Sequence, residues 1–305
     1  MKKVLVIAGP TASGKSGFAI ETAKRLNGIV ISGDSIQVYK GFDIGSGKVT
    51  AAEAGEVPHA LIDILDPRAR YSVADFQREA RAIIDHDERF PIICGGTGLY
   101  LKACLYDYEF SQEAGESVDP ALERYSTAEL WYMLKALDPV QAEKIHPNNR
   151  RRLLRSLTIV TATGKKQSQL HAEQEHRPVY DIFIAGCTME REDLYARIDR
   201  RVEGMFKAGL KEEVEGLLKA GSSFDDQAMQ GIGYKEWKDY FAGSCSEEDV
   251  MRAIQMNSHR FAKRQYTWLN HQMPVHWFKS CDRRDRDRMM KEIEAWAYGE
   301  QKEDR

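Results

Sequence analysis

Nothing in this 305-residue sequence approaches the run of about 18 apolar residues that a membrane-crossing helix needs, so no transmembrane segment is expected. The opening apolar stretch, Val4-Leu5-Val6-Ile7-Ala8 behind Met1-Lys2-Lys3, is too short for a secretory leader and runs directly into a glycine-containing loop. Cysteine is scarce as well. The five cysteines (Cys94, Cys104, Cys187, Cys245 and Cys281) are odd in number and none forms a C-x-x-C pair, which argues against a disulfide framework and a cysteine-built zinc site. A reducing, cytoplasmic setting is the expectation. Excess charge of one sign is also missing: the net charge is −3, so a polyanionic partner must be held by a local patch. Internal repeats and low-complexity linkers are absent too.

What is present is a rhythm. Short runs at residues 4–8, 29–32, 91–94, 181–185 and 275–278 carry few charges and read as buried strands. Helical stretches at 15–27 and 73–87 fall among them, the first with Phe18, Ala19, Thr22, Ala23 and Leu26 on one face. Strands alternating with helices predict an α/β fold with a parallel sheet flanked by helices. Residues 109–146 break the pattern. A polar, acidic stretch at 111–119 reads as a mobile loop, and helices at 127–137 and 140–145 are set off by Asp138-Pro139 and His146-Pro147. The expected division is a core of residues 1–108 and 147–305 with a small helical insertion domain at 109–146. Further helices are expected at 191–208, 211–219, 247–269 and within 282–305, with Gly209 and Gly221 closing the first two and Ser246 capping the third.

The first strand leads into Gly9-Pro10-Thr11-Ala12-Ser13-Gly14-Lys15-Ser16, a full G-x-x-x-x-G-K-[ST] match placed between strand and helix. Such a loop turns its amides inward and, with the helix N-terminus, cradles an anion. Lys15 adds a charge, Thr11 a hydroxyl, and the Ser16 hydroxyl suits Mg²⁺. The expected fold is therefore of the P-loop NTPase kind, but the loop does not say whether ATP or a diphosphate fills it. Two more segments should reach the same crevice, because strand ends of a parallel sheet face one way. Asp34 follows the second strand, where a carboxylate can hold Mg²⁺, take a proton from a nucleophile, or merely cap a turn. Gly45-Ser46-Gly47-Lys48 beyond it reads as a flexible loop able to close over an anion, and Gly95-Gly96-Thr97-Gly98 opens another helix.

Basic residues are concentrated at 147–166, where Arg150, Arg151, Arg152, Arg155, Lys165 and Lys166 occur with no acidic residue. Arginine suits phosphates through its bidentate fork, so this is a candidate RNA-binding patch, with a solvated helix face as the plain alternative. Residues 230–235 and 263–268 mix basic, glycine and aromatic side chains in the manner of base-stacking loops. Trp268 reads equally as core. Taken from the residues alone, a small-molecule kinase using ATP explains the loop and Asp34, and an ATP-dependent RNA-binding switch explains the loop and the patch.

The blocks together resemble a family. GPTASGKS at 9–16, DSIQVY at 34–39, HALID at 59–63, GGTGLYL at 95–101, NRRRLLRSL at 149–157, GIGYKE at 231–236 and KRQYTWL at 263–269 are similar, in order and spacing, to the signatures of bacterial tRNA dimethylallyltransferases, also called isopentenyltransferases. The segment 109–130 is shorter than the family's usual insertion. The resemblance implies transfer of a dimethylallyl group from dimethylallyl diphosphate to the exocyclic amine of adenine 37 in the tRNA anticodon stem-loop, by a monomer. It implies Asp34 as general base and Thr97 beside the adenine. Residues 9–16 would hold the diphosphate with Mg²⁺, helped by one of Arg197, Arg200 and Arg201, of which Arg197 is expected. It further implies tRNA contacts at Asp34, Ser35, Ile36, Gln37 and Thr97, at Arg124, Arg151, Arg152, Leu153, Leu154 and Arg155, at Gln230, Gly231, Gly233, Tyr234 and Lys235, and at Lys263, Arg264 and Gln265.

Overall fold

The computed structural model describes residues 1–110 and 119–299. The polar loop expected at 111–119 falls almost wholly outside the described residues, as does the end of the helix expected within 282–305. The described chain divides into two compact units, residues 1–105 with 178 onward, and residues 106–177.

The first unit opens with β1 (Lys3–Ala8), α1 (Lys15–Leu26), β2 (Gly28–Ser32), α2 (Ala51–Ala54), β3 (His59–Ala60), α3 (Val73–His86), β4 (Phe90–Gly95) and α4 (Gly98–Leu105). The second unit holds α5 (Pro120–Glu123), α6 (Thr127–Leu137), α7 (Pro139–Lys144), α8 (Arg150–Thr163) and α9 (Gln167–Glu173). The chain then returns to the first through β5 (Asp181–Thr188), α10 (Arg191–Lys207), α11 (Leu210–Lys219), α12 (Trp237–Phe241), α13 (Glu247–Gln272), β6 (His276–Lys279) and α14 (Arg283–Tyr298).

The strands form one parallel sheet in the order β3-β2-β4-β1-β5-β6. β1 is interior, with Leu5 opposite Ile92 on one side and Phe183 on the other. Both of its faces are covered, which is why Val4 to Ala8 form an unbroken apolar run with no exposed surface. On one face Phe18, Ala19, Ala23 and Leu26 of α1 share a core with Leu5, Ile7, Ile92, Phe278 and Met289. Full burial of each large side chain here contributes about 1.5–3 kcal/mol. Helix starts follow local chemistry. Ser72 and Ser246 each close a capping box, with Asp75 and Asp249 as the reciprocal partners, a device worth about 1 kcal/mol. Gly209 and Gly221, both at φ 97°, end α10 and α11 where expected. The expected strands all form, but β6, at the edge of the sheet, buries only Phe278 rather than being a buried strand; the two-residue β3 is additional.

The second unit is larger than the insertion expected at 109–146, and residues 147–177 are moved from the core into it. The reason is the inner face of α8: Leu153, Leu154 and Leu157 join Leu122, Leu130, Leu134, Ala142 and Ile145 in one apolar cluster. Its polar hinge is Asp138, fully buried between α6 and α7. Oδ1 accepts from Gln141 N at 3.1 Å and Ser168 Oγ at 2.6 Å, and Oδ2 accepts from Ser168 N at 2.9 Å. Burial alone would raise the Asp138 pKa; these bonds outweigh it and hold the carboxyl below its ordinary value.

Candidate active site

The carboxyl ends of β1, β2 and β4 open into one cavity, as a parallel sheet dictates. The phosphate loop supplies Thr11, Lys15 and Ser16; β2 and its extension supply Val30, Ser32, Asp34 and Gln37; β4 supplies Cys94 and Gly95. Ser46, Gly47 and Val49 form a wall with His59 and Ile62, and Arg201, Phe261 and Gln265 reach in from α10 and α13.

The loop takes its expected form. Gly14, at φ 85°, caps α1 in the left-handed region that glycine tolerates. Lys15 Nζ donates to Pro10 O at 3.3 Å. Burial lowers the Lys15 pKa, with Arg201 adding to the effect and Cys94 and Asp34 opposing it. From the far side Ser280 Oγ donates to Ser13 O at 2.6 Å. Ser13 is itself fully buried, and its hydroxyl lacks a hydrogen-bond partner among the described residues. Loop amides are already engaged: Thr11 N donates to Gln265 Oε1 at 2.9 Å and Ser13 N to Pro10 O at 3.3 Å.

Two arginines attend the loop. Arg201 donates to Thr11 Oγ1 and to Gly47 O, both at 3.4 Å. Its guanidinium occupies the space beside residue 47, and the backbone there, at φ 59°, lies in the left-handed region that favours glycine. Burial pulls the Arg201 pKa down, and Asp34 offsets this. Arg197 lies on the other side of the loop, its Nη2 3.7 Å from where a Cβ on Gly14 would stand. Arg197 neighbours the loop at Gly14, and Arg201 lines the cavity. The pattern offered a signal for this. The buried stripe of α10 is Leu194, Ile198 and Val202; at roughly 100° per residue Arg197 and Arg201 fall on its flank, while Arg200 turns to the far side.

Asp34 closes a turn and also faces the cavity. Its Oδ1 accepts from Ile36 N at 2.9 Å and so closes a turn. Among the described residues Oδ2 has no hydrogen-bond partner, and Asp34 is part of the cavity lining. Thr97 heads α4 half-buried, outside the lining, its carbonyl accepting from Tyr100 N at 2.9 Å.

Several expected RNA contacts hold structure instead. Gln37 accepts from Ser32 Oγ at 2.9 Å and donates to Gly47 O at 3.4 Å, bracing the cavity wall. Tyr234 is fully buried, its ring 4.6 Å from Phe42, and so presents no surface to RNA. Burial, then the Glu213 carboxylate, raises its pKa well above the usual phenol range, which keeps its proton in place. Gly233, at φ 100°, is buried beside Gly45. Gln265 is 7% exposed and turned to the loop. Leu153 and Leu154 are core residues of the second unit. Arg150 caps α5, donating to Tyr125 O at 2.6 Å and Glu123 O at 2.7 Å. The loop at Gly45-Ser46-Gly47-Lys48 is pinned, and Lys48 is turned into ion pairs with Asp43 and Asp63, each at 2.6 Å. Exposed surface remains at Arg124, Arg151 and Arg152 in the second unit, and at Gln230, Lys235, Lys263 and Arg264 in the first. Arg155, Ser35, Ile36 and Gly231 are half-buried. A Cβ on Gly231 would stand 3.0 Å from Ile36, so two of the expected segments adjoin. Trp268 packs flush on Gly98.

Thr11, Lys15, Ser16 and Arg201 give the cavity hydroxyl and cationic groups of the kind that would suit an anion accompanied by Mg²⁺. Among the described residues no cluster of three or more His, Cys, Asp or Glu forms a cage. Mg²⁺ does not need one, since it takes one or two protein oxygens and completes its shell with phosphate oxygens and water. Among the described residues no helix is long and apolar enough to cross a membrane.

Two family models match the chain, one described as IPP transferase over residues 37–272 and one as isopentenyl transferase over residues 2–63. The tRNA dimethylallyltransferase of Anoxybacillus flavithermus is 47% identical over 302 residues, spanning 98% of this chain and 97% of the relative. That of Geobacillus kaustophilus is 45% identical over 306 residues, with the same coverage of 98% and 97%. Among solved structures, tRNA delta(2)-isopentenylpyrophosphate transferase from Staphylococcus epidermidis matches with a TM-score of 0.71 and 40% identity, covering 98% of this chain and 99% of that one. A eukaryotic dimethylallyltransferase acting on tRNA matches with a TM-score of 0.82 and 28% identity, over 97% of this chain and 78% of that one.

Proposed function

The chain belongs to the IPP transferase family of tRNA dimethylallyltransferases, and on that footing we propose that it carries a dimethylallyl group from dimethylallyl diphosphate to the N6 amine of adenine 37 in tRNA. The observation that carries this reading is the make-up of one cavity. Phosphate-loop groups and Arg201 share it with an apolar strip of Val30, Val49, Ile62 and Phe261 and with the Asp34 carboxylate. A phosphate ester of a short branched hydrocarbon matches the first two features, and a weakly basic amine needs the third.

The amine's lone pair is delocalised into the purine, so it attacks best as its proton is removed. The N6–C1 bond forms while the C1–O bond to the diphosphate breaks. The electron pair leaves on the diphosphate oxygen, and the N6 proton passes to Asp34. Lys15, Arg201 and the loop amides stabilise the charge that develops on the leaving group. Mg²⁺, held by Ser16 and by the diphosphate itself, would add Lewis-acid stabilisation of that charge. Adenine reaches such a site only when turned out of the anticodon stack. Ser35, Ile36 and Thr97 are proposed to receive it, with Gln230, Gly231, Lys235, Lys263 and Arg264 as further contacts. Arg124, Arg151, Arg152 and Arg155 of the second unit are proposed to take backbone phosphates.

The test is incubation with dimethylallyl diphosphate, Mg²⁺ and unmodified tRNA bearing adenines at positions 36 to 38, read by nucleoside mass spectrometry. Dimethylallyl-adenosine should form without ATP. A requirement for ATP, with phosphate appearing on a small acceptor, would favour the kinase reading.

A further inference from the structure

The backbone amides of 43–45 in the cavity wall are held from outside the cavity by one carboxylate. Glu213, on α11, accepts from Asp43 N at 3.1 Å and Ile44 N at 2.7 Å through Oε2. Through Oε1 it accepts from Gly45 N at 3.1 Å and from the Tyr234 hydroxyl at 2.8 Å. Tyr234 in turn accepts from Ser46 N at 3.1 Å. Successive amides from 43 to 46 thus all end on one carboxylate–phenol pair. Among the described residues Glu213 makes no ion pair within 4 Å, and its oxygens are met by three backbone amides and a phenol, a nest of the kind that backbone amides form around anions. The fit leaves no slack: a Cβ on Gly45 would stand 2.5 Å from the Tyr234 ring. One residue beyond the clamped stretch, Gly47 O accepts from the Arg201 guanidinium. Neither Glu213 nor Tyr234 lines the cavity.

We propose that Glu213 and Tyr234 are positioning residues for the diphosphate end of the site: they fix the 43–48 segment so that the Gly47 carbonyl sets Arg201 beside Thr11. This rests on reading the cavity as the diphosphate site. Glu213→Gln turns an amide nitrogen, itself a donor, against backbone donors and breaks at least one of the bonds. Tyr234→Phe keeps the ring and removes both hydroxyl bonds. Each should raise KM for dimethylallyl diphosphate about tenfold, as expected for a displaced charged hydrogen-bonding group. KM for tRNA should stay within about twofold. A further Arg201→Ala change in either background should cost less than it does in the wild type, because the two act through one contact.

Steady-state kinetics with both substrates, alongside thermal melting and far-UV circular dichroism, reads this out. If Glu213→Gln does not fold, Tyr234→Phe decides alone. A rise in tRNA KM with the diphosphate KM unchanged would overturn the proposal and return Tyr234 to RNA contact. Lower melting temperature with both KM values unchanged would overturn it in favour of a purely structural role. Should the wild type transfer nothing, the activity reading fails instead, and the same variants are compared by calorimetric binding of inorganic diphosphate: weaker binding upholds the positioning role and equal binding overturns it.

Discussion

Asp34→Asn is the sharpest perturbation of the site. Asparagine keeps an oxygen where Oδ1 accepts from Ile36 N, so the turn after β2 survives. It removes the charge and the basicity of the oxygen that lacks a partner. A positioned general base contributes a factor of about 10²–10⁴, so turnover should fall by roughly 3–5 kcal/mol of barrier. Asp34→Ala loses the turn bond as well, and its melting temperature should drop by the equivalent of about 1 kcal/mol while Asn leaves it nearly unchanged. Both variants should bind tRNA as the wild type does, since one buried-side carboxylate adds nothing to phosphate attraction. Single-turnover transfer with saturating dimethylallyl diphosphate, run beside a melting curve and a gel-shift titration, separates these effects. An Asn variant that retains turnover within about fivefold would refute the base assignment, because that is far below the smallest factor expected of a base.

Other outcomes follow from the same geometry. Arg201→Ala should raise KM for dimethylallyl diphosphate by one to two orders of magnitude, about 1.4–3 kcal/mol, with Arg197→Ala weaker and Arg200→Ala near neutral; equal effects for all three would contradict the placement of Arg201 in the cavity. The Asp138 carboxyl is depressed on folding, so it stabilises the second unit above the ordinary carboxylate pKa, and that stability is lost as pH falls through the depressed value. Melting of an Asp138→Asn variant should therefore be lower at neutral pH and flatter across the acid limb than the wild type. Replacing exposed Arg151 and Arg152 together with alanine should reduce the slope of log affinity for tRNA against log salt by about 1–2; an unchanged slope, measured by filter binding, would remove them from the interface.

Legibility from sequence tracked the range of the interaction. The phosphate loop is readable because its mechanism lies in eight consecutive residues, and β1, β2 and β4 because double-sided burial leaves continuous apolar runs. The cap at Ser246 needs only the residue three positions on. Arg201 is within reach of a helical-wheel argument, because it falls beside the buried stripe of α10. The boundary at 146 is not legible from charge, because the arginine run marks only one face of α8 while Leu153, Leu154 and Leu157 on the other join the core of the second unit. Tyr234 and Glu213 were not readable at all: their partners at 43–46 lie 168 to 188 residues away, and no local pattern encodes such a contact. A two-residue strand such as β3 has no period to detect.

The most direct test of the central claim follows diphosphate and nucleoside together. The wild-type enzyme, dimethylallyl diphosphate, Mg²⁺ and tRNA are combined without ATP, released diphosphate is counted, and the modified nucleoside is mapped by nuclease digestion and mass spectrometry. One diphosphate per dimethylallyl group, with the group on N6 of adenine 37, is the expected result. Diphosphate release without a modified adenine, or modification at another position with adenine 37 untouched, would contradict it.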